Sequence, residues 1–159
     1  MNENLITEKE ILNVQNAWGE GIVKIGKVFS NQGDFRAAAK SHIDEFYNYQ
    51  NGTVLFKPTL ASERQFRPDF EGALSYFVGG NENYPEDHGF AIKPWTKVRW
   101  ESLGTKINGN MAMAMGNYFF TPQDGGEEVK VEYSFGYTKN ESGELKIILH
   151  GSHIPYSPV

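Results

Sequence analysis

The chain's 159 residues favour one domain with a real core, and 39% hydrophobic with 14% aromatic content excludes a disordered segment. A net charge of −5 offers nothing to nucleic acid or to an acidic membrane surface, and the absence of cysteine removes any disulfide framework, thiolate metal site or thiol nucleophile. No apolar run approaches the roughly 20 residues that span a bilayer.

Thr7-Glu-Lys-Glu10 matches a capping box and marks a helix start. Ile11, Val14, Trp18, Ile22, Ile25 and Phe29 follow at helical spacing. Gly19, Gly21 and Gly26 interrupt that helix, each costing about 1 kcal/mol against Ala, which close packing on a sheet would explain. Asn31 to Asp34 is a turn, and Phe35 to Tyr49 reads as a second helix closed by Asn51-Gly52. Thr53 to Lys57 is a short strand stopped by Pro58, and Phe70 to Val78 a short helix ending at Gly79-Gly80. Residues 81–94 form a loop whose acidic part, Glu82 to Asp87, reads as a solvated edge.

Longer strands are predicted over Thr96–Leu103, Met111–Thr121, Glu128–Lys139 and Glu144–His150, each bounded by Gly, Asn or Asp turn signals. Helices first and a meander afterwards make an α+β domain spanning residues 1–159. In the strand from Met111, Ala112, Ala114 and Gly116 share one face and three methionines the other. Small residues there suit a curved sheet wrapped over a helix, which is a cone with a pocket inside. The methionine face and the aromatic face of the next strand predict a homodimer or larger assembly through the outer sheet, with Val131, Tyr133 and Phe135 reading as core or dimer surface.

The last strand, from Leu145, runs straight into polar residues. Period-two alternation sets Leu145, Ile147 and Leu149 against Ile148, His150 and Ser152, so an imidazole and a hydroxyl project together from a sheet end. Neither a zinc site nor a nucleophilic serine follows. His150 and His153 fit no ligand-spacing motif, and no Gly-x-Ser-x-Gly elbow surrounds Ser152. Taken singly, Thr59 after Pro58 reads as a helix cap and Tyr76 as a core tyrosine with a tied hydroxyl.

The segments "AWGEGIVKIG", "GTVLFKPTLA", "FEGALSYFVGG", "EDHGFAIKPWTKVRWE", "AMAMGNYFFTP", "KVEYSFGYTK" and "LKIILHGSHIPYSP" change that reading. In order and spacing they resemble the iota-class carbonic anhydrases and their bacterial relatives. That family looks like the association domain of calcium/calmodulin-dependent kinase and shares the nuclear-transport-factor-2-like cone fold. The resemblance runs from about residue 10 to 158. It implies a metal-free carbonic anhydrase without cofactor, whose threonine, tyrosine and serine hold bicarbonate. The threonine of Phe-Lys-Pro-Thr is Thr59, the tyrosine of Ser-Tyr-Phe is Tyr76, and the serine of the C-terminal motif is Ser152. The family's His-His-Ser-Ser-Leu-Pro here reads His150-Gly151-Ser152-His153-Ile154-Pro155, so the second His and second Ser are replaced.

Zinc enzymes lower the pKa of bound water from about 15.7 to about 7, worth roughly 12 kcal/mol. Neutral hydroxyls cannot match that, so a metal-free route is expected to be concerted. Thr59, Tyr76 and Ser152 would position water and stabilise developing charge, with His150 as a base titrating near neutrality. Two other readings stay open. One is a non-catalytic, association-domain-like pocket or oligomerisation module. The other is an isomerase or hydratase whose carboxylate base would be Asp44 or Glu132. In each, no nucleic acid and no membrane is a partner. The polar N-terminus carries no secretory signal, which predicts a cytoplasmic protein unless a leader was removed.

Overall fold

The computed structural model describes residues 5–158. Helix α1 runs Glu8–Ser30. Its capping box is formed: Glu10 N donates to Thr7 Oγ1 (3.2 Å) and Thr7 N to Glu10 Oε1 (3.3 Å). The buried stripe of α1 holds Ile11, Gln15, Trp18, Ile22 and Ile25. Its glycines follow from close approach. A Cβ on Gly19 would lie 3.0 Å from Val98 Cβ on the sheet, and one on Gly21 would lie 2.3 Å from the His42 ring.

Helix α2 spans Phe35–Phe46, stopping three residues short of the predicted Tyr49. Tyr47 leaves the helix in an extended conformation and bridges to Ile147, which carries its side chain into the core. Helix α3 spans Phe70–Val78 as predicted, with Asp69 as its cap.

Five strands follow the order β1-β5-β4-β3-β2. They are β1 (Leu55–Lys57), β2 (Trp95–Asn108), β3 (Met111–Pro122), β4 (Val129–Lys139) and β5 (Leu145–His153). All neighbours are antiparallel except β1 and β5, which run parallel and bring Phe56 beside His150. Strand β2 outruns its predicted end at Leu103 because a bulge absorbs that residue and pairing resumes at Gly104. The fold is the predicted α+β arrangement, three helices on a five-stranded, mostly antiparallel sheet.

Two expectations about faces change. Val131, Tyr133 and Phe135 are buried in the hydrophobic core, so the aromatic face of β4 is core and not outer surface. Only the methionines point outward, with Met111, Met113 and Met115 at 49%, 59% and 52% exposure. Nor is the acidic loop a solvated edge throughout. Asp87 is buried and takes two bonds from Arg67 (2.7 and 2.8 Å) and one from Ser75 Oγ (2.6 Å). Glu86 accepts the backbone N–H groups of Ser62, Glu63 and Arg64. These bonds tie the segment after Thr59 to the loop that faces it. Among the described residues, no helix is long and apolar enough to cross a membrane.

Candidate functional site

A bulge in β5 creates the site. Tyr137 pairs with Ile147 while the adjacent Gly136 pairs with Leu149, which leaves Ile148 as the extra residue. Parity shifts at that point. Leu145 and Ile147 face the core before the bulge, and His150 and Ser152 face the same core after it. Period-two reading set these pairs on opposite faces, and one inserted residue puts them on one.

There the predicted residues meet. Ser152 Oγ and Thr59 Oγ1 lie 2.5 Å apart. Tyr76 Oη accepts the backbone N–H of Leu60 at 3.2 Å, beside Thr59. His150 Nε2 stands 3.0 Å from Tyr118 Oη, and Tyr118 Oη bonds Ser152 Oγ. On the other side of the ring, Nδ1 lies 2.9 Å from Tyr47 Oη, which accepts Trp18 Nε1–H at 3.1 Å. Tyr118, Tyr47 and Trp18 complete the row, and sequence reasoning did not assign them to the site. Tyr118 lies on β3 with the methionines, but only the β3–β4–β5 register brings it to Ser152.

Burial sets the protonation states. His150 is buried, and desolvation, with a lesser contribution from His153, pushes its imidazole down to about 3. The expectation of a base titrating near neutrality is therefore overturned: His150 stays neutral, with both ring nitrogens engaged. Desolvation also raises the phenols of Tyr76 and Tyr118. The Leu60 N–H and the nearby Thr59 hydroxyl at Tyr76, and the Ser152 hydroxyl at Tyr118, offset it only in part. Both remain neutral O–H groups.

Thr59 and Tyr76 open onto a cavity of about 480 Å³. Apolar side chains dominate its wall, among them Leu60, Phe90, Trp95, Phe120 and Val131. Its charged groups are Glu86, Asp87 and Lys93, with His88 also on the wall and exposed. Asp44 and Glu132, the carboxylates an isomerase would need inside, are both exposed. Among the described residues, no three His, Asp or Glu side chains converge into a metal-binding group.

The architecture is that of the nuclear-transport-factor-2-like cones. A protein of that class from Shewanella oneidensis superposes with a TM-score of 0.56 at 12% identity, covering 91% of this chain and 97% of that one. The chain belongs to the metal-independent carbonic anhydrase family, whose model matches residues 9–154. It is 44% identical over 154 residues to the metal-independent carbonic anhydrase of Nostoc sp., covering 95% of this chain and 75% of the relative. It also superposes with a TM-score of 0.94 on a cyanobacterial iota-carbonic anhydrase solved in complex with bicarbonate, at 42% identity over 98% of this chain and 96% of that one.

Proposed function

We propose that this protein catalyses the reversible hydration of carbon dioxide to bicarbonate without a bound metal. Thr59, Tyr76, Ser152 and Tyr118 are its working hydroxyls and His150 is a positioning group. The observation that carries the reading is the row of hydroxyls from Tyr118 through Ser152 to Thr59, which ends beside Tyr76 on the wall of an apolar cavity.

The apolar wall suits carbon dioxide, which has no net charge or dipole. As a water oxygen bonds to its carbon, a C–O π bond breaks and negative charge collects on the carbon dioxide oxygens. Thr59 Oγ1–H and Tyr76 Oη–H stabilise that charge, and being fixed before the reaction they need no reorganisation. The water's proton leaves as the C–O bond forms. His150 does not receive it, because its imidazole is held at about 3 and lies behind Tyr118. The exit is through the cavity, whose wall includes the exposed His88. His88→Ala should then lower kcat in dilute buffer with little change in kcat/KM, and added imidazole should restore it.

We further propose a homodimer formed through the methionine face of β3, supported by its exposed apolar side chains. The deciding experiment is stopped-flow hydration of carbon dioxide after exhaustive chelation. Full activity is expected. Activity lost in chelator and restored by zinc or manganese would overturn the metal-free route, and no activity under either condition would favour a non-catalytic pocket.

A further inference from the structure

We infer that Trp18 and Tyr47 are positioning residues. They fix the tautomer of His150 and through it the direction of every hydrogen bond leading to the cavity, so that Thr59 presents a proton to the bound anion. The inference rests on the hydroxyl site proposed above.

The argument needs only the donor and acceptor capacity of each group. An indole Nε1–H can only donate, so Tyr47 Oη accepts from Trp18 at 3.1 Å. Tyr47 then has one proton left and one remaining partner, His150 Nδ1 at 2.9 Å, which must accept. A neutral imidazole that accepts at Nδ1 carries its proton on Nε2. That N–H donates to Tyr118 Oη at 3.0 Å. Tyr118 spends its own proton on Ser152 Oγ, and Ser152 spends its proton on Thr59 Oγ1 at 2.5 Å. Thr59 is the end of the row, and its proton is free to point into the cavity whose wall it forms. Tyr76 reaches the same condition independently. Its oxygen accepts from Leu60 N–H at 3.2 Å, which leaves its proton to donate. Two O–H groups therefore meet the anion side by side.

The starting point is rigid. Trp18 is 2% exposed. Its ring stacks on Tyr118 (5.8 Å, 28°) and meets Phe135 and Trp100 edge-on, so the indole N–H has no other direction to take. The row is also closed to inward proton transfer, since it ends on an indole that accepts nothing. It orients donors and does not carry the reaction's proton away.

The test is the ring ¹⁵N spectrum of the full chain labelled at histidine. His150 is separated from the other three histidines with His42→Phe, His88→Gln and His153→Gln. The expected pattern at neutral pH is protonated Nε2 and unprotonated Nδ1. A protonated Nδ1, or averaging of the two nitrogens, overturns the inference, and this arm needs no change at Tyr47 or Trp18. In the second arm, Tyr47→Phe removes only the oxygen that instructs Nδ1. It is expected to lose the pure Nε2–H pattern and to bind bicarbonate at least fivefold more weakly, with an unchanged circular dichroism spectrum. Retention of either wild-type property overturns the inference, and if Tyr47→Phe does not fold the wild-type spectrum decides alone. An inactive protein with the Nε2–H pattern would sink the proposed activity and leave the inference standing. An active protein with Nδ1–H would do the reverse.

Discussion

Phe135 lies face to face with His150, the ring centroids 4.1 Å apart and 21° from parallel. Phe56 covers the opposite face at 4.9 Å and 11°. Between two phenyl rings the imidazole has no access to water, which is why its protonated form is so disfavoured.

That sandwich makes stability depend on pH. His150 and the equally buried His42 are both held at about 3, against 6.5 for an exposed imidazole. Between those values the unfolded chain binds protons that the native state does not, so stability rises with pH across the window. It is complete above about 6.5 and lost as pH falls toward 3. Each histidine should cost about 2 kcal/mol between pH 7 and pH 5. Urea midpoints should fall over that range, and His42→Phe should remove about half of the fall. A midpoint flat from pH 7 to pH 5 would contradict the burial argument.

The hydroxyl row makes a second set of expectations. Thr59→Ala and Ser152→Ala each remove one fixed donor and should lower turnover by about 10- to 100-fold, or about 1.4 to 2.7 kcal/mol of barrier. Tyr118→Phe should cost at least as much, because it orphans His150 Nε2–H and leaves Ser152 without its donor. Stopped-flow rates beside far-UV circular dichroism separate a lost contact from a lost fold. Full rates in all three variants would show that the chemistry lies elsewhere in the cavity.

The regular parts of this fold were legible because they depend on local signals. The capping box at Thr7, helix α3 and the alternation of Ala112 and Ala114 against the methionines all appear where the sequence puts them. The site was half legible. Thr59, Tyr76 and Ser152 came from a family resemblance, since each alone reads as an ordinary cap or core residue. Tyr118 and Trp18 were not visible because their roles depend on register and on the bulge at Ile148, both tertiary facts. The role expected of His150 failed for the same reason. Sequence shows an imidazole near a strand end, but only packing shows the two rings that keep it neutral.

Met111, Met113 and Met115 on the outer sheet face predict self-association. Light scattering at tens of micromolar (about the level at which a modest dimer persists) should give twice the chain mass. Met113, 59% exposed at the centre of the row, is the residue to change. Met113→Lys places a charge where the partner would sit and should yield a monomer with unchanged circular dichroism. A wild-type protein that is monomeric at that concentration would contradict the proposed interface.

The altered C-terminal motif should be tolerated. Gly151 and His153 alternate with the buried pair His150 and Ser152 and so face outward, with His153 exposed. Ser152 is not displaced by the glycine, for it keeps its bonds to Thr59 and Tyr118. A Cβ at Gly151 would meet only the His153 ring, 3.3 Å from Cε1, and this contact disappears when His153 is also replaced. The double change Gly151→His plus His153→Ser, which restores the family pattern, should therefore fold and alter the hydration rate by less than tenfold. A gain above tenfold, about 1.4 kcal/mol of barrier, would mean that the outward positions reach the reaction after all. The natural Gly151 and His153 would then be impairing the site from the outer face of the sheet.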